Sequence, residues 1–280
     1  MSDSSAPAAS VPAPPPQPSP AVPPGEGFPA TGRRVLVTGA SRGIGRALAR
    51  AFAANGDRVA VHHGSRREDA AATLASLQGE GHLLVGADLS EAARAADLVD
   101  EVVTVFGGVD VVVNNAAVNI AHPPASTSFA GWTAAWDRHV AVNLLATAHV
   151  SHRAAHHMIE QGGGGRIVNV GSRGAFRGEP DHPAYGATKA AVHALGQSLA
   201  LALAPHGIAV ASVAPGFVAT ERVADRLAGE AGARLAAQSP FGRVGRPEEI
   251  ADAVLWLASP GAQWSSGTVL DLNGASYLRT

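Results

Sequence analysis

The sequence predicts an α/β fold: a single doubly wound parallel β-sheet with helices on both faces. The first indication is a set of short apolar runs, among them Val35–Val37 and Val109–Val113, which are typical of strands buried on both sides. The second is that segments with helical spacing of apolar residues alternate with these runs. Because parallel sheets bind ligands at the carboxyl ends of their strands, we expect one crevice to collect the residues that follow the runs. These residues are Gly39, Asp88, Asn114, Ser172 and Pro215.

Composition limits the classes of protein to consider. The chain has 280 residues, of which 46% are hydrophobic, so it can bury one large core, and we predict a single domain over residues 30–280. The net charge of −2 argues against a nucleic-acid-binding protein, which normally carries a basic excess. No apolar run reaches the about 18 residues of a membrane span, so we expect no membrane contact. The absence of Cys excludes disulfides and thiolate metal sites and fits a cytoplasmic protein.

The first 29 residues have a composition of their own. They hold ten of the 19 prolines, together with Ala and Ser, and the first basic side chain is Arg33. The segment therefore lacks the basic start and apolar run of a secretory signal and the arginines of a transit peptide. We predict a disordered tail with polyproline character that acts as a spacer. A docking site for a partner that recognises proline is the alternative.

The first strand leads into a glycine-rich turn. Val35–Val37 is followed by Thr38–Gly45 and then by a helix in which Leu48 and Phe52 share a face and which Gly56 ends. Glycines let a backbone approach a pyrophosphate, and the helix N-terminus offers free N–H groups and the positive end of a dipole. The spacing G-x-x-x-G-x-G differs from G-x-G-x-x-G and from a Walker loop. The strand–turn–helix context nevertheless indicates a phosphate cradle.

The later elements alternate in the same way. Strands are predicted over residues 59–62, 83–86, 109–113, 167–170, 208–213 and 268–272. Helices are predicted over residues 68–78, 91–106, 137–160, 185–204 and 248–258. Leu98, Val102 and Phe106 lie on one face of the second of these helices, and Gly162 and Pro205 end the third and fourth.

A Tyr–Lys pair is the main candidate for chemistry. Lys189 is the only Lys among 21 basic residues, and Tyr185, one of two Tyr, precedes it by four positions. On a helix this spacing places both side chains on one face. An ammonium near a phenol favours the phenolate and lowers the pKa of the Tyr, which can then transfer a proton near neutral pH. A chance pair on a solvated helix is the alternative.

Five motifs, in order, resemble those of the short-chain dehydrogenase/reductase family, of the compact type that includes 3-oxoacyl-carrier-protein reductases. The resemblance covers residues 34–275 and implies a Rossmann-like fold and an oxidoreductase. The motifs are Thr38–Gly45, Asp88-Leu89, Asn114–Ala117, Tyr185 to Lys189 and Pro215-Gly216. Ala117 and Ala275 stand where the family usually has Gly. The additional methyl group of Ala117 is expected to tighten the nicotinamide pocket and to be tolerated.

The resemblance also implies a catalytic set. Ser172 would donate a hydrogen bond to the substrate oxygen, and Tyr185 would exchange a proton with that oxygen. Lys189 would bind the nicotinamide ribose and lower the pKa of the Tyr185 phenol. Asn143 would kink its helix and hold a water for the proton relay. Taken singly, a Ser after a strand is more often a turn residue or a helix cap, and Asn143 reads as a buried polar residue bonded to backbone. The joint occurrence of the motifs in order favours catalysis.

The resemblance further implies the residues that bind the dinucleotide. They follow the carboxyl ends of the predicted strands, apart from Tyr185 and Lys189. The implied set is Gly39, Ser41, Arg42, Gly43, Ile44, Gly45, His63, Ser65, Arg66, Asp88, Leu89, Asn115, Ala116, Ala117, Tyr185, Lys189, Pro215, Gly216, Val218 and Thr220.

Charge after the second strand predicts the choice of dinucleotide. NAD-binding sites place a carboxylate there to accept a hydrogen bond from the ribose 2′-OH. Here Arg66 and Arg67 come first, the first acid is Glu68, and Arg42 adds a cation in the glycine turn. Arginine suits a 2′-phosphate, so we predict that NADP(H) is preferred, with NAD(H) as the alternative. The two arginines could also be merely solvated residues at the start of a helix.

Histidines share a face of the helix predicted over residues 137–160. His149, His152 and His156 have spacings of three and four, with His157 beside them, and such spacing can bind a transition metal. In the family this helix usually packs against its symmetry mate. We therefore predict no metal site and a homo-oligomer, a dimer or a homotetramer.

The substrate is the least determined part. Its lining is predicted from residues 118–121, 173–181 and 215–235, the last a mobile lid with Gly229 and Gly232 as hinges. Arg173 and Arg177 are candidates to meet an acidic or phosphorylated group, although Arg177 could be a surface charge. We predict reduction of a ketone or a carrier-bound 3-oxoacyl group. The alternatives are an NAD(P)-dependent alcohol or sugar dehydrogenase and a non-catalytic dinucleotide sensor.

Overall fold

In the part of the chain that the structure describes, seven strands form one parallel sheet. The computed structural model describes residues 28–223 and 229–279. The strands are β1 (Arg34–Val37), β2 (Arg58–His63), β3 (Leu83–Gly86), β4 (Val111–Asn114), β5 (Gly165–Val170), β6 (Ile208–Pro215) and β7 (Val269–Leu272). Their order is β3-β2-β1-β4-β5-β6-β7, and each neighbouring pair is parallel. The predicted fold class, a Rossmann-like doubly wound sheet, is confirmed.

Helices cover both faces of this sheet. They are α1 (Gly43–Ala54), α2 (Arg67–Ala75), α3 (Ala92–Phe106), α4 (Phe129–His139), α5 (Ala146–Gln161), α6 (Gly174–Arg177), α7 (Pro183–Leu203), α8 (Gly229–Ala236) and α9 (Pro247–Leu257). Successive side chains of a strand point to opposite faces, so the sheet has two separate cores. Val35 is buried with Phe52 of α1 and Val254 of α9, whereas Leu36 is buried with Val150 of α5.

The strand order reverses beside β1. The chain leaves β1 toward β2 and β3 and then returns to the other side of β1 as β4. Connections on either side of such a reversal diverge, which opens a crevice outside the carboxyl ends of the two strands. The crevice therefore lies where the sequence predicted it, between the segments that follow β1 and β4.

The helix predicted over residues 137–160 is longer and less regular than expected. It begins at Phe129, where the Ser128 hydroxyl accepts a hydrogen bond from the Gly131 N–H and caps α4. Between α4 and α5 it contains a π-helical segment, Val140–Leu145. The earlier start was missed, although Phe129, Trp132 and Trp136 already have helical spacing. The short helices α6 and α8 were also missed, since a few residues are too few to establish a period.

An ion pair is buried at the amino ends of β1 and β2, away from the crevice. The Arg33 guanidinium donates from Nη2 to Asp57 Oδ2 at 2.6 Å and from Nε to Oδ1 at 3.0 Å. Its Nη1 donates to the Ala258 carbonyl at 2.7 Å, just after α9. Both side chains are at most 1% exposed. The pair therefore joins the starts of two strands to the end of a helix.

The predicted tail lies almost entirely outside the described residues, as does part of the predicted lid, residues 224–228. Phe28, the first described residue, has its ring centre 4.2 Å from the Arg166 guanidinium carbon and packs against the core that contains α1. The tail and the domain boundary stay predictions. Within residues 28–223 and 229–279, no helix is long and apolar enough to cross a membrane.

Candidate active site

A cavity of about 430 Å³ lies at the carboxyl ends of the strands. Its walls come from the turns after β1, β2, β3, β4, β5 and β6 and from the start of α7. Apart from His63 and Asn143, every residue of the predicted catalytic and dinucleotide-binding sets borders it. Residues outside those sets also border it, namely His62, Gly64, Ala87, Val118, Asn119, Arg138, Val142, Val170, Gly171, Arg173, Glu179, Phe217, Glu221 and Val223.

The glycine turn after β1 has the shape of a cradle. A Cβ atom on Gly45 would lie 2.1 Å from the Gly39 carbonyl oxygen, so no other residue fits there without movement of the backbone. Gly39 itself has φ +65°, a conformation that side chains disfavour. The Asn115 amide donates to the carbonyls of Thr38 and Gly39 at 2.9 and 3.0 Å and holds the turn against the end of β4. The turn is thus open to a pyrophosphate and closed to side chains.

A carboxylate already binds at the N-terminus of α1. Glu221 Oε2 accepts a hydrogen bond from the Gly43 N–H at 3.0 Å, and its Oε1 accepts one from Arg46 Nη1 at 2.9 Å. The contact shows that this helix end attracts an anion, as free N–H groups and the helix dipole predict. The residues present therefore fit the diphosphate of a dinucleotide, and Glu221 would have to move for it to bind.

His62, which the sequence analysis did not select, holds the cradle in place. Its Nδ1 accepts a hydrogen bond from the Gly39 N–H at 3.0 Å, and its Nε2 donates to the Ala87 carbonyl at 3.1 Å. Burial lowers the pKa of His62 to about 4, which leaves the ring neutral and able to accept. The predicted His63 points to the opposite face of β2, against Gly86, and does not border the cavity. Strand alternation separates the two histidines, and the sequence alone did not reveal which one faces the site.

The Tyr–Lys pair lies on α7, one turn apart. Lys189 Nζ lies 5.8 Å from the centre of the Tyr185 ring and donates to the Val170 carbonyl at 2.6 Å. Lys189 is only 3% exposed, so its ammonium lies inside the protein, next to the Tyr185 phenol. Val170 ends β5 and precedes Ser172 by two residues, so this bond joins α7 to the segment that carries the serine.

Ser172 and Asn143 occupy different positions relative to the cavity. The Ser172 hydroxyl accepts a hydrogen bond from the Gly174 N–H at 2.9 Å, and in that bond its own proton is not used. Asn143, in the π-helical segment, accepts at Oδ1 from the Val118 N–H at 2.8 Å and donates from Nδ2 to the Val118 carbonyl at 3.1 Å. It therefore lies behind Val118 rather than in the cavity wall. Its predicted role in a water relay stays a prediction.

Two buried histidines that the sequence analysis did not select form a chain of hydrogen bonds to the start of α7. His139 donates from Nδ1 to the Ala135 carbonyl at 2.7 Å and accepts at Nε2 from the Ile120 N–H at 3.2 Å. The Ile120 carbonyl accepts from His122 Nδ1 at 2.7 Å, and His122 Nε2 accepts from the Ala184 N–H at 3.1 Å. Burial lowers the pKa of His139, which favours the neutral ring that this pattern requires.

This series of hydrogen bonds ends beside Tyr185, the candidate catalytic residue. Ala184 is the chain neighbour of Tyr185, and the His139 ring packs edge-on against the Tyr185 ring at 6.4 Å between centres. His122 and His139 thus join α4 and the loop after β4 to the first turn of α7. Isolated histidines in a loop and a helix carry no sequence signal for such a contact, because the three segments meet only in the folded chain.

The two departures from glycine have different surroundings. Ala275 has a φ of +57°, in the left-handed region where glycine is usual. In the described part of the chain, no other residue apart from glycines has a positive φ. Ala117 borders the cavity, as its place in the predicted nicotinamide pocket requires. Its effect on the pocket stays a prediction.

Two histidines of the predicted face of α5 pack against each other, and His157 beside them contacts α3. The rings of His152 and His156 lie 4.5 Å apart, and His157 Nε2 lies 2.8 Å from Asp100 Oδ1 on α3. Among the residues the structure describes, no group of three or more His, Cys, Asp or Glu side chains could hold a metal ion. Arg153 also donates to Asp100, at 2.6 Å, so this part of α5 is joined to α3.

A pyrophosphate cradle that opens onto a Tyr–Lys pair is what a dinucleotide-dependent dehydrogenase or reductase requires. Residues 39–274 match the family model described as enoyl-(acyl carrier protein) reductase. The chain belongs to the short-chain dehydrogenase/reductase family, as its motifs predicted, and is an NAD(P)-dependent oxidoreductase acting on CH–OH groups.

Known relatives span several substrate classes. The chain is 38% identical over 254 residues to L-rhamnose 1-dehydrogenase (NAD(P)(+)) of Sphingomonas sp. (strain SKA58), covering 88% of this chain and 97% of that protein. It is 36% identical to 3beta-hydroxysteroid dehydrogenase 1 of Eggerthella lenta, covering 88% and 94%. It is 34% identical to the 3-oxoacyl-[acyl-carrier-protein] reductase FabG of Staphylococcus aureus, covering 88% and 98%. Similarity of this degree does not single out a substrate.

Proposed function

We propose that this protein uses NADP(H) to reduce a ketone or 3-oxoacyl group to the alcohol, with Tyr185 as the proton donor. The observation that carries the proposal is that Ser172, Tyr185 and Lys189 border one cavity with the glycine cradle. When bound, the nicotinamide supplies the hydride. The protein's task is then to hold the carbonyl group and to supply a proton where negative charge develops on its oxygen.

Each polar residue has a separate part in this reaction. Ser172 donates its unused proton to the substrate oxygen and holds it near the phenol. Tyr185 transfers its phenol proton to that oxygen as the alcohol forms. Lys189 stabilises the resulting phenolate, because a buried ammonium favours the ionised form of a neighbouring phenol, and its position suits binding of the nicotinamide ribose. An intact set of these three residues argues against a non-catalytic sensor.

The reverse direction is the alternative. The relatives named as rhamnose and hydroxysteroid dehydrogenases favour an NAD(P)-dependent alcohol or sugar dehydrogenase on the same site. Oxidation would use the same residues, with the Tyr185 phenolate accepting the proton. The test is NADPH oxidation with a carbonyl panel that includes acetoacetyl thioesters, beside NADP⁺ reduction with sugars and hydroxysteroids. Turnover with no member of either panel would contradict the proposal.

NADPH is expected to exceed NADH in kcat/KM by about tenfold or more. Ser65 and Arg66 border the cavity after β2, and no acid in this segment does. Asp69, on α2, accepts a hydrogen bond from Arg66 at 3.3 Å but does not border the cavity. A guanidinium bonded to a 2′-phosphate contributes about 1.5–3 kcal/mol. Arg66→Ala is expected to reduce the NADPH/NADH ratio of kcat/KM. Arg67→Ala is the matched control, because Arg67 is exposed and does not border the cavity. Equal efficiencies with the two dinucleotides in the unaltered protein would overturn the preference.

His122→Phe is expected to lower kcat about tenfold with KM and dinucleotide affinity nearly unchanged. The variant keeps a ring but leaves the buried Ala184 N–H without its acceptor, at a cost of about 1–3 kcal/mol, and frees the first turn of α7. His122→Gln, whose amide can still accept this bond, should recover part of kcat. His156→Phe, at an exposed histidine, is the control. Equal kcat in His122→Phe and the unaltered protein would show that the hydrogen bonds through His122 and His139 do not position Tyr185.

We propose that the protein is a homo-oligomer, a dimer or a tetramer. Large apolar side chains are exposed in the described part of the chain, among them Leu201 on α7 and Trp264 just before β7, which is 99% exposed. Apolar area of this kind is typical of an interface with another copy. Light scattering after size exclusion is expected to give a multiple of the chain mass, and a monomer at micromolar concentration would contradict it.

A further inference from the structure

Arg173 follows Ser172 directly and is a buried cation beside the candidate active site. It is 4% exposed, and its guanidinium lies 5.1 Å from the centre of the Phe217 ring. Within residues 28–223 and 229–279, the side chain makes one hydrogen bond, from Nη1 to the Ser276 hydroxyl at 2.6 Å. Among the described residues, no carboxylate forms an ion pair with it, and its Nε and Nη2 donate to none of them.

The other buried arginines are satisfied by the protein itself. Arg33 has the carboxylate of Asp57. Arg166 donates from Nη1 to the Gly165 carbonyl at 2.8 Å and from Nε to the Ser259 carbonyl at 3.3 Å. A buried charge is normally paired, because burial without a partner costs several kcal/mol. Arg173, with a single hydroxyl as acceptor, departs from this pattern.

Nearby charges do not compensate Arg173. Its pKa is lowered, first by burial and then by the Arg177 guanidinium, while the Glu179 carboxylate raises it by less. Arg177 is itself exposed and donates to Gln238 Oε1 at 2.6 Å. Of the two arginines that the sequence offered for an acidic substrate, Arg173 is therefore the one that is buried and short of acceptors.

Arg173 also borders open space. Arg173 and Phe217 border both the cavity that contains Tyr185 and a second cavity of about 320 Å³. The acids that border the second cavity already have arginine partners. Glu249 accepts from Arg243 at 2.6 Å, and Asp271 accepts from Arg279 at 2.7 Å. Arg173 is thus a cation at the junction of two cavities, next to the serine that would hold the substrate oxygen.

We infer that Arg173 determines specificity by binding a carboxylate group of the carbonyl substrate, so that the natural substrate is an oxo acid. The inference rests on the proposed function and leaves its hydride and proton transfers unchanged. The guanidinium fork matches a carboxylate with two parallel hydrogen bonds. A monoanion is favoured over a phosphate dianion, because Glu179 borders the same cavity and repels a second negative charge.

The test compares acids with uncharged analogues of the same carbon skeleton. We would measure kcat/KM with NADPH for 2-, 3- and 4-oxo acids and for the methyl ester of each. The unaltered protein is expected to prefer at least one acid over its ester by about tenfold or more. Arg173→Gln is expected to lower kcat/KM for that acid by about 10-fold to 100-fold, mainly through KM, and to change the ester by less than about threefold. Arg173→Lys should recover part of the loss.

Controls separate recognition from structure. Arg177→Gln should leave the acid/ester ratio of kcat/KM unchanged. Ser276→Ala, which removes the hydroxyl partner of Arg173 and keeps its charge, should still prefer the acid over its ester. As a readout independent of turnover, calorimetry should show the hydroxy-acid product binding the unaltered protein more tightly than it binds Arg173→Gln. Equal losses of kcat/KM for acid and ester in Arg173→Gln would show that Arg173 only anchors the segment around Ser276. That result would overturn the inference.

Other outcomes are equally decisive. Esters reduced at least as well as every acid would overturn the inference while leaving the proposed function in place. A higher kcat/KM for phosphorylated ketones than for the acids would overturn the carboxylate assignment. Absence of NADPH oxidation with acids, esters and the wider carbonyl panel would instead contradict the proposed function itself.

Discussion

Tyr185→Phe is expected to lower kcat by about 10²–10⁴-fold while leaving the dinucleotide Kd unchanged within about twofold. The substitution removes one oxygen from a ring that borders the cavity beside Lys189, and it keeps the ring's packing against His139. Without the phenol, the substrate oxygen has no positioned acid as negative charge develops on it. Steady-state NADPH oxidation gives kcat, and calorimetric titration with NADP⁺ gives the Kd.

The chain contains its own control for this variant. Tyr277, its other tyrosine, donates from its hydroxyl to the Phe176 carbonyl at 3.3 Å and does not border the cavity. Tyr277→Phe is expected to keep kcat within about threefold, since a partly buried hydrogen bond of this length contributes about 1 kcal/mol or less. Near-normal turnover in Tyr185→Phe would remove the assignment of Tyr185 as proton donor and with it the proposed mechanism.

Asp57→Ala is expected to lower the free energy of unfolding by about 3–5 kcal/mol. It leaves the Arg33 guanidinium buried with one carbonyl as acceptor, and it removes three hydrogen bonds from Arg33 to the carboxylate. The loss follows from an uncompensated charge rather than from the pair's net contribution, which is small because both ions are desolvated. Urea unfolding followed by fluorescence measures the change.

Asp97→Ala is the matched control for that stability prediction. Asp97 pairs with Arg94 at 3.3 Å on α3, with both side chains at least half exposed, so its loss should cost about 1 kcal/mol or less. Because Asp57 lies at the amino ends of the strands, folded Asp57→Ala should keep the kcat of the unaltered protein. A loss no larger than that of Asp97→Ala would show that water or movement of Arg33 relieves its charge.

Much of the site could be predicted because its residues lie in short segments with strong local patterns. The glycine turn from Gly39 to Gly45 and the Tyr185–Lys189 spacing each carry their own geometry, and the structure brings both to one cavity. The ends of the apolar runs predicted which turns would meet. The catalytic and binding roles of these residues stay predictions until the variants are measured.

Residues that act across segments could not be predicted. His62 and His63 are identical side chains in succession, and only the pairing register of β2 with β1 and β3 decides which faces the cradle. His122 gains its role from Ala184, 62 positions away along the chain. Arg173 and Arg177 look alike in sequence, and only burial separates them.

The sequence by itself determined the fold class and the family and supplied the candidate residues for chemistry, because period, turn type and motif spacing are local properties of the chain. Tertiary structure alone decided which histidine supports the cradle, how the start of α7 is held and which of Arg173 and Arg177 is buried. Those outcomes depend on what surrounds a side chain once strands and helices pack. Desolvation and the absence of a counter-charge belong to that packed environment, and no stretch of sequence contains them.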